Sequence, residues 1–353
     1  MGASEKPPIV PRHTGRRRLA LILTAILMAG LVAFALSRLD LPRVGHALIT
    51  ATPGWVALAF LLMALSLLMR SISWRAVLRA ALPDTEIPRV PVVRATMIGV
   101  MGSAVFPGRI GEPSRVLVLM RRLEGPNRRL LPIIAGTVFS QTLINLVALV
   151  ILAAVTFTSV PLLHDHLTGI EAALGVPLLV ALLVVSGPRL LAVGRRSRSA
   201  RVVAAADAVG RALGLARQGL VVFARPRHGA AAVAFQLLAW ALQWLACYMV
   251  LLALGLHTGL VSAAAVLLAV NVSAILPATP SNVGVFQAAC LVVLAAYGVG
   301  SGPGLAYGII LQAVEVLTAL ALGVPALLGE NLSWQDIRLS RRSVEDSAGE
   351  GPQ

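Results

Sequence analysis

Charge is scarce in this chain, and where it meets glycine and proline it suggests a ligand site. The stretch Ala104-Val-Phe-Pro-Gly-Arg-Ile-Gly-Glu-Pro-Ser-Arg115 carries Arg109, Glu112 and Arg115 among Pro107, Gly108, Gly111 and Pro113. Guanidinium groups suit bidentate capture of a phosphate. Glu112 could neutralise Arg109 while such a site is empty. Glycine and proline interrupt a helix and open backbone groups as further ligands. The competing reading is that all three charged side chains snorkel to a membrane interface as anchors.

A second stretch, Leu276-Pro-Ala-Thr-Pro-Ser-Asn-Val-Gly-Val-Phe-Gln287, echoes the first. Pro107-Gly-Arg-Ile-Gly111 and Pro280-Ser-Asn-Val-Gly284 share the spacing proline, two residues, β-branched residue, glycine. Here Pro277, Pro280 and Gly284 supply the breaks. Thr279, Ser281, Asn282 and Gln287 supply uncharged hydrogen-bonding groups. They could hold a headgroup, or cap a helix starting near Val283. Asn271 lies about a turn before the break, where pairing with backbone across a hairpin is the plain alternative.

Glu315 is a carboxylate inside an apolar run, with Gln312 about one turn before it on the same face. An acid at that depth suggests proton coupling, a partner for a cationic headgroup, or a partner for Arg109. A structural ion pair is the alternative. Gln141 and Asn145, and Gln236 and Gln243, share helix faces and fit interhelical hydrogen bonds better than ligands. His164-Asp165-His166 lacks further ligands at metal-site spacing, so no metal and no cofactor is expected. Walker and nucleophile-elbow motifs are absent from the sequence, and no residue constellation argues for catalysis.

The elements that must position these residues are apolar helices. Of the 353 residues, 58% are hydrophobic and 13% charged, with mean hydropathy +0.85. A soluble domain carries roughly 25% charge. The class is therefore an all-α polytopic membrane protein, and long apolar runs exclude an outer-membrane barrel. Net charge is +15, and Lys6 is the only lysine. The arginines lie between apolar runs, which fits anionic lipid headgroups rather than nucleic acid. Cys247 and Cys290 fall inside apolar segments, where a disulfide is not expected.

Six full spans are expected, at 19–37, 54–69, 130–156, 170–186, 230–256 and 305–328. Trp55 and Trp74 would anchor the second at the membrane interfaces. Residues 95–123 and 261–297 are each too interrupted to cross, and are expected as re-entrant or broken helix pairs. Residues 1–18 form a cytoplasmic arm and 331–353 a disordered cytoplasmic tail. The integral domain spans 19–330, with a basic insertion at 187–228 that includes an amphipathic helix for the membrane surface. Arginine crowding places both termini in the cytoplasm, with the first hairpin entering from inside and the second from outside. Opposed broken elements in two halves point to an inverted repeat with its site at the repeat interface.

At the two breaks the chain resembles the lysylphosphatidylglycerol synthase transmembrane-region family, also described as flippase-like or UPF0104 proteins. The matching residues are Phe106-Pro-Gly-Arg-Ile-Gly-Glu-Pro-Ser-Arg115 and Leu276-Pro-Ala-Thr-Pro-Ser-Asn-Val-Gly-Val-Phe286. The family's later motif carries glycine after its second proline, where this chain has Ser281-Asn282. The resemblance implies an integral domain that moves a modified lipid between leaflets. Relatives of the two-part type append a soluble aminoacyl-transferase domain. This chain ends soon after its last span, so synthesis of an aminoacyl lipid by it alone is not expected.

The function expected is translocation of a phospholipid or lipid-linked headgroup across the cytoplasmic membrane. The alternatives are an integral membrane transferase using a lipid-linked donor, with Glu112 as its nearest base, and a non-catalytic accessory subunit of a lipid or envelope pathway. Association with itself or with a lipid-biosynthesis partner is left open.

Overall fold

The structure is a computed structural model, and it describes residues 46–47, 49–105, 111–123, 130–159, 225–274 and 282–330. These residues form eight longer helices and no strand. They are α1 (Pro53–Ala81), α2 (Arg89–Val105), α3 (Gly111–Leu123), α4 (Leu131–Ser159), α5 (Pro226–Ala253), α6 (Gly259–Ser273), α7 (Val285–Ala296) and α8 (Ser301–Leu328). The polytopic all-α expectation holds. Four helices, α1, α4, α5 and α8, are long and apolar enough to cross a membrane. The expected spans at 19–37 and 170–186, and nearly all of the basic insertion, lie outside the described residues.

Two boundaries move for a physical reason. The second span was expected to stop at Met69, before a run of arginines. Instead α1 continues through Arg70, Arg75 and Arg79 to Ala81. Between Gly54 and Pro83 the sequence has no helix breaker. The charges are accommodated without one: Arg70 finds partners inside the bundle, and the Arg75 Nε donates to the Ile87 carbonyl. Trp74 is likewise not an interface anchor. It is fully buried, and its indole N–H donates to the Thr137 hydroxyl on α4. The fifth span runs 226–253 rather than 230–256, because Pro226 is tolerated in a first turn.

The two interrupted regions are helical hairpins. In the first, α2 and α3 are about 25 and 20 Å long by their residue counts, short of a hydrocarbon core about 30 Å thick. They pack backbone against backbone. A Cβ on Gly111 would collide with the Gly99 carbonyl oxygen and the Ser103 hydroxyl. Small residues permit this approach where lipid gives helices little hydrophobic reason to associate. Gly111 and Pro113 therefore belong to the first turn of α3 rather than to the break, a position proline tolerates. In the second hairpin, α6 and α7 pack together and α7 continues through a short turn into α8.

Helix α8 organises both hairpins. Near its end, Glu330 accepts from Arg94 at the start of α2 and from Arg122 at the end of α3. Its side chain is only 3% exposed. Further in, Gly323 abuts Met101 of α2. At the other half of α8, Gly308 abuts Gln287 and Cys290 of α7, and Gly304 abuts Leu291. The first hairpin thus opens at the Glu330 end of α8 and the second at the Ser301 end. One limb of each hairpin, α2 in the first and α7 in the second, runs antiparallel to α8, so both hairpins close towards its middle.

Two apolar cores follow the same division. One gathers α5, α6, α7 and the first half of α8, including Val250, Leu267, Cys290 and Leu311. The other gathers α1, α2 and α3 with Ala326 and Leu327 of α8. Helices α1 and α5 run antiparallel beside both, joined where the Ser66 and Ser73 hydroxyls donate to the Ala239 and Ala232 carbonyls. Every described arginine other than Arg70 and Arg115 lies towards the Glu330 end, where α1 finishes, α2 and α5 start, and α3 finishes.

Candidate functional site

Glu315 stands at the midpoint of α8, whose bounds are Ser301 and Leu328. A carboxylate there must find partners, because an isolated charge in a low-dielectric interior is costly. It finds two. The Gln243 side chain of α5 hydrogen-bonds to it, and Arg70 of α1 supplies the opposite charge. Gln243 also accepts from an Arg70 Nη through its Oε1, so the amide bridges the two charges. Trp240, one turn before Gln243, lies 5.9 Å from the Arg70 guanidinium carbon, measured to the ring centre. Gln141 of α4 donates to the Arg70 backbone carbonyl.

Arg115 of α3 enters the same region. Its guanidinium sits 4.8 Å from the centre of the Trp74 ring, one helical turn from Arg70 on α1. It pairs with Glu112 at 3.4 Å. The Arg115 side chain is 12% exposed and Glu112 is 48% exposed. Arg70 and Arg115 are close enough for their charges to repel. The site is therefore two guanidiniums, each with its own carboxylate and its own indole face. Such an array can hold an anion through charge-assisted hydrogen bonds, with the rings limiting access to water.

The second hairpin reaches this level through Gln312, one turn before Glu315. The Gln287 Nε2 of α7 donates to the Gln312 Oε1, and the Gln287 Oε1 accepts from the Gly284 N–H. Gln287 thus caps its own helix and ties it to α8. Asn282 and Gly284 both have positive φ, +52° and +88°. Asparagine and glycine are the residues that adopt this conformation most readily.

The expected site residues divide as follows. Arg115, Glu112 and Glu315 lie in or beside the buried polar cluster, and Asn282 with Gly284 leads into α7. Arg109, Pro107, Gly108, Thr279, Ser281, Pro277 and Pro280 lie outside the described residues. The described partner of Glu112 is Arg115, and that of Glu315 is Arg70. Among the described residues Asn271 pairs within its own helix, its amide donating to the Leu267 carbonyl. Asn145 accepts from Gln236 and from Trp240, an interhelical contact of the kind expected. Gln243 also makes an interhelical hydrogen bond, and its partner there is the charged Arg70 of α1.

The reading from sequence did not single out Arg70 or Trp240 for the site, and gave Gln243 and Trp74 other roles. One signal was available. Arg70 and Trp74 are separated by four residues in a segment free of glycine and proline, so they share a helix face. Among the described residues, no group of three metal-ligating side chains occurs.

Long apolar helices, opposed hairpins and a charged cluster at mid-span define a polytopic membrane protein with an interior polar site. Residues 19–323 match the family described as Lysylphosphatidylglycerol synthase TM region, and the chain belongs to that family. No curated protein matches the chain.

Proposed function

We propose that this protein translocates a phospholipid or lipid-linked headgroup across the cytoplasmic membrane. The observation that carries the proposal is the Arg70–Gln243–Glu315 cluster at mid-span, with Arg115 beside it. Charges at this depth are expensive for a protein that only anchors or scaffolds. They are useful to one that must carry a polar headgroup through hydrocarbon. The phosphate engages Arg115 and Arg70, the acyl chains remain against the apolar spans, and the two hairpins rearrange in turn to open each side. The family's link to a lipid-modifying enzyme supports a lipid as the cargo. The Glu330 end faces the cytoplasm in this reading, since the arginines gather there.

The test is reconstitution into liposomes containing a headgroup-labelled phospholipid, with a membrane-impermeant quencher added outside. Wild type should expose the inner-leaflet label to the quencher. Arg115→Ala and Glu315→Gln should each slow this at least about tenfold, as expected when about 1.4 kcal/mol of stabilisation is lost. Transbilayer movement at the protein-free rate for wild type, or unchanged rates in both variants, would contradict the proposal.

A further inference from the structure

Two features of the cluster remain unaccounted for by helix packing. The buried Nε atoms of Arg70 and Arg115 both lack a hydrogen-bond partner among the described residues. Buried donors are normally satisfied, and each orphan costs free energy. The Arg115 guanidinium lies against Trp74, one turn along α1 from Arg70, and its positive charge acts on Arg70. One ligand would resolve both problems: an anion with several acceptor oxygens held between them. Phosphate-type groups have that chemistry, and arginine's planar fork matches it.

We propose that Arg70 and Arg115 together bind a single phosphate-type anion, and that Glu315 and Glu112 are internal counter-anions which this ligand displaces. The inference rests on the translocation reading only for the source of the ligand. Arg115 is ion-paired with Glu112, and Arg70 lies within the electrostatic reach of Glu315, with Gln243 between them. Neither pair is sealed. Arg70 and Glu315 are half-buried, and Glu112 is exposed. Gln243 hydrogen-bonds to both Arg70 and Glu315, so it can keep either one satisfied while the pair separates. Competition between a fixed carboxylate and a mobile phosphate keeps affinity moderate, and a carrier must be able to release its cargo. Site occupancy then depends on the ligand's negative charge. A bare anion and an anionic lipid headgroup share this chemistry.

The experiment is equilibrium titration of the purified full chain in dodecyl maltoside micelles, followed by tryptophan fluorescence, since Trp74 and Trp240 lie against the two guanidiniums. The probes are dioctanoyl phosphatidylglycerol and inorganic phosphate. Glu315→Gln should tighten phosphatidylglycerol binding about tenfold by removing a competitor. Glu112→Gln, at an exposed position that leaves Arg70 and Glu315 untouched, should tighten it by a smaller factor, about threefold. Arg115→Gln should weaken it at least about tenfold. These factors follow from gaining or losing one charge-assisted contact.

Binding of phosphatidylglycerol alone would assign the site to a headgroup, and equal binding of inorganic phosphate would assign it to the bare anion. Both results support the site. No binding of either probe, or affinities that neither glutamate variant tightens, would overturn it. Tightened binding without lipid movement in liposomes would remove translocation and leave the site standing. Lipid movement with binding indifferent to both glutamates would do the reverse.

Discussion

Arg70 sets a guanidinium inside an apolar bundle, where its removal has an energetic consequence. It lies three residues past the centre of a 29-residue apolar helix, and its compensating charge comes from a helix far away in sequence. Removing one member of such a pair leaves the other uncompensated, whereas replacing both with apolar groups of similar volume is often tolerated. Arg70→Ala should therefore destabilise the fold by about 3 kcal/mol. The double variant Arg70→Leu with Glu315→Leu should recover most of that loss. Thermal unfolding in detergent checks both, and a double variant less stable than Arg70→Ala would contradict the pairing. Glu315 stands out in the sequence because an acid in an apolar run needs a partner or a function. Arg70 does not, because four more arginines follow it within 24 residues and the run resembles a membrane edge. Sequence spacing shows a charge, but the partner that makes it tolerable comes from another helix.

The hairpins depend on glycine for a different reason. Gly111 has no room for a side chain against the Gly99 carbonyl, whereas a Cβ on Gly102 would meet the Gly111 Cα at 3.3 Å. Gly111→Ala must push α2 and α3 apart and should cost about 2–3 kcal/mol, while Gly102→Ala should cost under about 1 kcal/mol. Thermal midpoints of the two variants give the comparison, and equal midpoints would argue against backbone contact. At this scale the sequence was informative. Both interruptions were visible as proline and glycine clusters in runs too short to cross. The details were less visible. Helix α2 begins at Arg89 rather than at Ala95, because Arg94 reaches Glu330 and Val92 is buried. Helix α8 begins at Ser301 despite its glycines, since Gly304 and Gly308 fit against α7. Glycine read as a breaker along the chain serves here as a packing surface between helices.

The whole molecule is a bundle in which α8 receives one hairpin on each half, and the charged cluster lies between them. Two long helices, α1 and α5, run past both halves and supply Arg70 and Gln243 to that middle level. Opposed entry was expected from the alternation of basic and non-basic segments, and the described arginines do gather at one end. Central to this account is that the two hairpins open on opposite faces of the membrane. The most direct measurement is single-cysteine labelling in sealed vesicles of known orientation. Cys247 and Cys290 are buried, so added thiols can be distinguished from the native ones. Val90→Cys marks the open end of the first hairpin and His257→Cys that of the second, both at exposed positions. The account predicts that a membrane-impermeant maleimide reaches these two positions from opposite sides. Labelling of both from the same side would contradict it.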